Sequence, residues 1–303
     1  MFTFAEKKGS LMIMKIKQAF ISMRTHQYLK NSFIFLPLFF SGGIDDTQSL
    51  IKALIAFISF SVSASAVYIL NDYLDIESDR QHPKKKHRPL ASGLISKKEA
   101  FFLIAFLSIL GLTIMATQSI QALIILLAYL LMNICYCFYL KHIAIIDITI
   151  ISIGFVLRLF IGAIVTETIL SKWIVIMTFL LALFLALAKR RDDVLHFMNT
   201  GKKMRKVIDG YNLQLIDGAM MIMASVVIVA YLLYTTSSEV IQRVNSEYLY
   251  LTSFFVILGV LRYMQISLVE NNSGSPTKVL LEDKFMISTV FLWVISFVFI
   301  LYI

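Results

Sequence analysis

Cysteine is nearly absent. The 303-residue chain has two, Cys135 and Cys137, both inside one apolar run, where a helix keeps them from reaching each other. No disulfide framework is implied. Charged residues are scarce too, at 16%, against 58% hydrophobic residues and a mean hydropathy of +0.80. That balance excludes an ordinary soluble globular domain. There is no P-loop and no GxSxG elbow, so neither ATP hydrolysis nor serine-hydrolase chemistry is suggested. His82, His87, His142 and His196 have no carboxylates at zinc-ligand spacing, which argues against a zinc site. The first thirty residues lack a short apolar core with a small-residue cleavage site, and no removable signal peptide is expected.

What the chain has in quantity is apolar runs of about twenty residues, the length that crosses ~30 Å of hydrocarbon. They fall at about 31–44, 50–70, 99–117, 119–140, 143–166, 171–188, 215–236, 247–269 and 285–303. The expected fold class is therefore all-α, a polytopic membrane bundle of nine spans in one domain over 1–303. Residues 1–30 form a basic amphipathic segment carrying Lys7, Lys8, Lys15, Lys17, Arg24 and Lys30. Placing the N-terminus in the cytoplasm puts 23 of the 28 Lys and Arg on the inside, as the positive-inside rule requires. The net charge of +9 sits in these loops rather than in a soluble basic domain, so no nucleic-acid partner is expected. Tyr68, Tyr139, Trp173, Tyr234 and Tyr248 near span ends read as an interfacial belt.

Two loops concentrate the chemistry. Asn71-Asp72-Tyr73-Leu74-Asp75-Ile76-Glu77-Ser78-Asp79-Arg80 follows directly on the second apolar run and continues into His82-Pro83-Lys84-Lys85-Lys86-His87-Arg88-Pro89. On one helix, Asp75 and Asp79 would lie within about 60° of Asp72, with Asn71 on the same side and Glu77 opposite. Three carboxylates and an amide on one face at a membrane edge suit a hard divalent cation such as magnesium. The second loop, Lys189 to Asn212, carries Lys189-Arg190-Arg191-Asp192-Asp193 and Lys202-Lys203-Met204-Arg205-Lys206. A helix stop at Asn199-Thr200-Gly201 predicts two short helices there.

Deep in the fifth run lies Arg158, with Asp147 roughly 16 Å earlier along the same helix. An intramembrane arginine faces a partner or a water-filled cavity. It is either half of an interhelical salt bridge or a phosphate ligand. Arg262, nearer an edge, can snorkel. Carboxylates that hold metal, flanked by Lys and Arg, form the combination that binds a magnesium diphosphate and stabilises it as a leaving group.

The spacing Asn71-Asp72-x-x-Asp75-x-x-x-Asp79 resembles the first acidic motif of the UbiA-type intramembrane prenyltransferase superfamily. Its continuation, Asp79-Arg80-x-His82-Pro83-x-Lys85-x-x-Arg88-Pro89-x-Ala91-x-Gly93, resembles the polyprenyl-phosphate phosphoribosyltransferase branch. So do Leu29-Lys30-Asn31, Leu140-Lys141-His142 through Asp147, Gly154 through Arg158 to Gly162, Arg205-Lys206-Val207 with Tyr211, and Pro276 through Leu280-Leu281 to Asp283.

The resemblance implies a magnesium-dependent transferase in the bacterial cytoplasmic membrane, acting in cell-envelope biosynthesis. Its active face and N-terminus would lie in the cytoplasm. It would move 5-phosphoribose from phosphoribosyl pyrophosphate to a polyprenyl phosphate and release pyrophosphate. Asp72, Asp75, Asp79 and Asp193 would be the metal ligands. Asn71, Arg80, Lys85, Arg88, Lys141, Arg158, Lys189, Arg190 and Tyr211 would contact substrates. Asp193 stands where glutamate is expected, which leaves open whether it or Asp192 faces the site. The same first motif would serve transfer of an isoprenoid from its diphosphate to an aromatic acceptor. His82-Pro83 and the additional cations favour the phosphoribosyl donor, which brings a third phosphate. A magnesium or anion transporter would place more ionisable residues at the midplane than Arg158 alone. Assembly into a homo-oligomer is left open.

Overall fold

The computed structural model describes residues 4–82, 85–203, 205–272, 274 and 276–302. Pro83, Lys84 and Met204, and the side chains of Lys7 and Lys8, lie outside that description. The elements are helical throughout the described residues: α1 (Phe4–Met23), α2 (Leu36–Phe40), α3 (Thr47–Leu74), α4 (Ile76–Gln81), α5 (Lys97–Ala116), α6 (Ile120–Phe138), α7 (Ile146–Val165), α8 (Lys172–Thr200), α9 (Leu213–Thr236), α10 (Ser238–Val244), α11 (Ser253–Leu268), α12 (Pro276–Glu282) and α13 (Lys284–Tyr302), joined by short 3-10 segments. Eight helical stretches among the described residues are long and apolar enough to cross a membrane. The first apolar run, at 31–44, is present in a different form. It enters as a 3-10 segment over Thr25–Phe35 and continues as the five-residue α2.

Helix boundaries follow local chemistry. Asp46 caps α3 by accepting from the Gln48 and Ser49 amides. Ser96 and Glu99 close a capping box on α5, and Asn212 accepts from the Leu215 amide to start α9. Such caps satisfy amide groups that the helix leaves unpaired.

The chain clusters into two compact units. The first comprises Met1–Leu38, Asp46–Leu140 and Phe160–Thr168. In it α3 packs on α5 and α6. The α3–α5 approach depends on Gly111, where any Cβ would collide with Ser63 Oγ, and Ser59 Oγ donates to the Gly111 carbonyl at 2.7 Å. Small residues allow such close approach between membrane helices. A buried cluster of Ala66, Ile69, Ile76, Leu90, Ile95, Ala100 and Leu107 draws the polar segment after α3 onto α3 and α5.

The second unit comprises Phe39–Asp45, Lys141–Leu159 and Ile169–Ile303. There α8 packs on α9, and α11 on α13 and α9. The expected pair of short helices after Lys189 is corrected by α8, which runs without a break to Thr200. Leu187, Ala188, Arg190, Arg191 and Val194 are all buried along it, so packing continues past the apolar run. The stop itself is where expected: Gly201 takes the left-handed conformation at φ 67°. The second predicted helix is the 3-10 turn Lys206–Gly210.

Candidate functional site

The first acidic motif does not lie on one continuous helix. Helix α3 ends at Leu74, Asp75 sits between helices at φ −96°, ψ 8°, and α4 restarts at Ile76. The single-face expectation is corrected accordingly, yet its main outcome survives. Asp72 and Asp79 are buried, at 3% and 2% exposure, whereas Glu77 is exposed and pairs with Arg80 at 3.1 Å. Arg88 Nη1 donates to both Asp72 Oδ1 at 2.9 Å and Asp79 Oδ2 at 2.6 Å. Two carboxylates from separate helices thus meet on one cationic point. Arg24 also donates to Asp72 Oδ1. Asp75 accepts from the Asn71 amide at 3.1 Å. Arg80 reaches the Ala91 carbonyl at 3.2 Å, and the Lys85 amide donates to His82 Nδ1 at 3.2 Å, which shapes the basic turn.

Among the described residues no group of three or more His, Cys, Asp or Glu is arranged as a ready metal cage. The donor chemistry nonetheless fits magnesium, an ion held by one or two carboxylates that fills its shell with water and substrate phosphates. The convergence of Asp72 and Asp79 on the Arg88 nitrogen is the structural observation that carries this fit.

In the second unit the predicted residues divide differently. Asp147 is fully buried and accepts from Arg190 Nε at 2.5 Å. The same arginine, 1% exposed, also pairs with Asp193. Tyr211 Oη donates to Asp147 Oδ1 at 2.7 Å and accepts from the Ile145 amide at 2.7 Å. Burial first, and then the bond to Asp147, push the Tyr211 phenol above its ordinary range. Ile145 has φ 71°, a region a β-branched residue rarely adopts, so the Tyr211 hydroxyl holds a turn with little intrinsic preference for its shape. Gly210 lets the two segments touch, since a Cβ there would sit 2.5 Å from the Ala144 Cβ.

Arg158 is expected either in an interhelical salt bridge or as a phosphate ligand, and Asp147, its ionisable neighbour on the same helix, pairs with Arg190. Arg158 is buried, donates to the Gly154 carbonyl at 2.6 Å and lies 5.2 Å above the Phe155 ring. Lys141 is buried and Lys189 half-buried. Asp193 receives Arg190 and lies 3.8 Å from Arg205, whereas the Asp192 carboxylate packs where a side chain at Gly274 would stand. Arg191 is committed to Asp217, the Ser267 carbonyl and Asn271 at 2.6–2.7 Å.

Arg24 and Asp147 were not singled out as site residues from sequence. Arg24 is 48 positions from Asp72, and its only signal was that two buried carboxylates require counter-cations.

Comparison with known proteins follows the same lines. The model of the UbiA prenyltransferase family matches residues 32–302. The decaprenyl-phosphate phosphoribosyltransferase of Corynebacterium glutamicum is 29% identical over 286 residues, covering 93% of this chain and 86% of that protein. The decaprenyl-phosphate phosphoribosyltransferase of Mycolicibacterium smegmatis is 28% identical over 283 residues, covering 90% and 89%. A UbiA homolog from Archaeoglobus fulgidus, solved bound to GPP and Mg2+, aligns with a TM-score of 0.70 at 18% identity, covering 94% of this chain and 100% of that one. That likeness shows the fold.

Proposed function

This chain belongs to the UbiA prenyltransferase family and is an integral-membrane transferase, and from that premise we propose that it transfers 5-phosphoribose from phosphoribosyl pyrophosphate to a polyprenyl phosphate. The observation that carries the reading is the likeness to two decaprenyl-phosphate phosphoribosyltransferases across nine-tenths of the chain. The cationic continuation of the acidic motif, with Arg88 on two carboxylates, supports it from the chemistry.

In this reading Asp72, Asp75 and Asp79 hold magnesium, with Asn71 orienting Asp75. A metal held by these carboxylates would supply positive charge for a pyrophosphate leaving group. Lys85 and Arg88 grip phosphate oxygens and take up negative charge as the bond to the anomeric carbon breaks. Arg80 holds the turn that carries them. In the second unit Lys141 and Lys189 supply cations for phosphate. Arg158 is the residue assigned to the phosphate of the polyprenyl acceptor. Arg190 and Tyr211 position their segments through Asp147, and Asp193 remains a candidate ligand through its exposed edge. The charge pattern supports an orientation with the N-terminus and active face toward the cytoplasm, and the bacterial relatives point to the cytoplasmic membrane.

The test is incubation of the purified protein with magnesium, phosphoribosyl pyrophosphate labelled in the ribose, and polyprenyl phosphate. Label entering the organic phase, and staying aqueous when the lipid is left out, is the expected result. Label that never partitions with lipid would refute the assignment.

A further inference from the structure

Arg24 stands at the junction between α1 and the 3-10 segment Thr25–Phe35, in a left-handed backbone at φ 53°, ψ 51°. A non-glycine residue keeps that conformation only where its surroundings fix it. Here the side chain does the fixing: the guanidinium lies 5.5 Å above the Tyr68 ring and donates to Asp72 Oδ1. That oxygen already accepts from Arg88 Nη1 at 2.9 Å. A carboxylate oxygen offers about two lone-pair sites, so both sites on Asp72 Oδ1 are taken by guanidinium groups. Arg88 has a second carboxylate, Asp79, to remain on. The only carboxylate salt bridge found for Arg24 among the described residues is to Asp72.

We propose that Arg24 is a displaceable counter-cation of this site. It occupies Asp72 in the ligand-free protein and moves to a phosphate oxygen when a metal-bound diphosphate arrives. This rests on the reading of Asp72 as a metal ligand. The consequence is an order of binding. A bare divalent ion on Asp72 Oδ1 must evict Arg24 and leave its charge without an anion, and one on Oδ2 must sit beside that charge. A metal diphosphate brings the anion that receives it, with the charge-assisted, two-pronged contact that guanidinium makes to phosphate.

The test uses the full chain in detergent. Binding of Mn2+ alone, and of pyrophosphate with Mg2+ present, is measured by calorimetry for wild type, Arg24→Gln and Asp72→Asn. Arg24→Gln should bind Mn2+ alone about tenfold more tightly and magnesium pyrophosphate about tenfold more weakly. Opposite signs in the two titrations are not produced by a merely structural role. An unchanged or weakened Mn2+ affinity in folded Arg24→Gln, with Asp72→Asn losing Mn2+, overturns the proposal and leaves the metal reading standing. If Asp72→Asn binds Mn2+ as wild type does, the metal reading itself fails. Should Arg24→Gln not fold, Arg24→Lys carries the same test, with smaller shifts in the same two directions.

Discussion

Arg190 Nε donates to Asp147 Oδ2 at 2.5 Å, and the two side chains are 1% and 0% exposed. The pair ties α8 to the first turn of α7. Through Tyr211 it also ties in the segment between α8 and α9. That burial supports a positioning role for Arg190 in the proposed site rather than direct contact with phosphate.

Arg190→Met should therefore destabilise the protein by about 3–5 kcal/mol, because it strands a buried carboxylate. Asp147→Asn should cost less, since Arg190 keeps Asp193. Thermal unfolding in detergent reads both. A fully stable Arg190→Met that has lost only donor affinity would return Arg190 to the role of phosphate ligand.

The acidic motif makes an asymmetric prediction. Asp72→Asn, Asp75→Asn and Asp79→Asn should each lower turnover by roughly 100-fold or more, the scale of losing a metal ligand rather than its support. Glu77→Gln should stay within about twofold, because that exposed side chain pairs, among the described residues, with Arg80 at the surface. Initial rates with folded variants decide it. Equal damage from Glu77→Gln would remove the distinction on which the ligand set rests.

Packing gives a contrast between two glycines. A Cβ at Gly162 would collide with the Ile34 carbonyl, which is backbone and cannot swing aside. Gly162→Ala should cost about 1–3 kcal/mol. Gly218, inside α9, has nothing within 4 Å of the added carbon. Gly218→Ala should be neutral or stabilising by about 0.5–1 kcal/mol. Unfolding temperatures measured side by side check the pair.

Arg158→Lys keeps the charge and loses the planar fork that matches phosphate. It should raise the KM for polyprenyl phosphate several-fold and leave that for the soluble donor nearly unchanged. A parallel rise in both constants would contradict a role confined to the lipid.

Periodicity and length made the spans legible, because twenty apolar residues have few other uses. They did not disclose that residues 25–40 wind as a 3-10 segment and a short helix, nor that α8 runs on through its charged end. Both outcomes depend on what those residues pack against. Asp72 and Asp79 are buried and Glu77 is exposed, the same opposition of faces that an idealised helix gives, even though the helix breaks at Asp75. The ion-pair partners were not legible. Arg24 to Asp72 and Arg190 to Asp147 join residues 48 and 43 positions apart, and a pairing over such distances is written in tertiary structure. Arg158 shows the same limit: its depth followed from its place in an apolar run, whereas its contacts with Gly154 and Phe155 did not.

The identity of the donor separates phosphoribosyl transfer from prenyl transfer. Purified protein with magnesium should be given, in parallel, phosphoribosyl pyrophosphate with polyprenyl phosphate, and a prenyl diphosphate with aromatic acids, and the lipid products compared by mass. A polyprenyl phosphate heavier by one phosphoribosyl group is expected in the first reaction, and no prenylated aromatic in the second. A prenylated aromatic product, with phosphoribosyl pyrophosphate left intact, would contradict phosphoribosyl transfer.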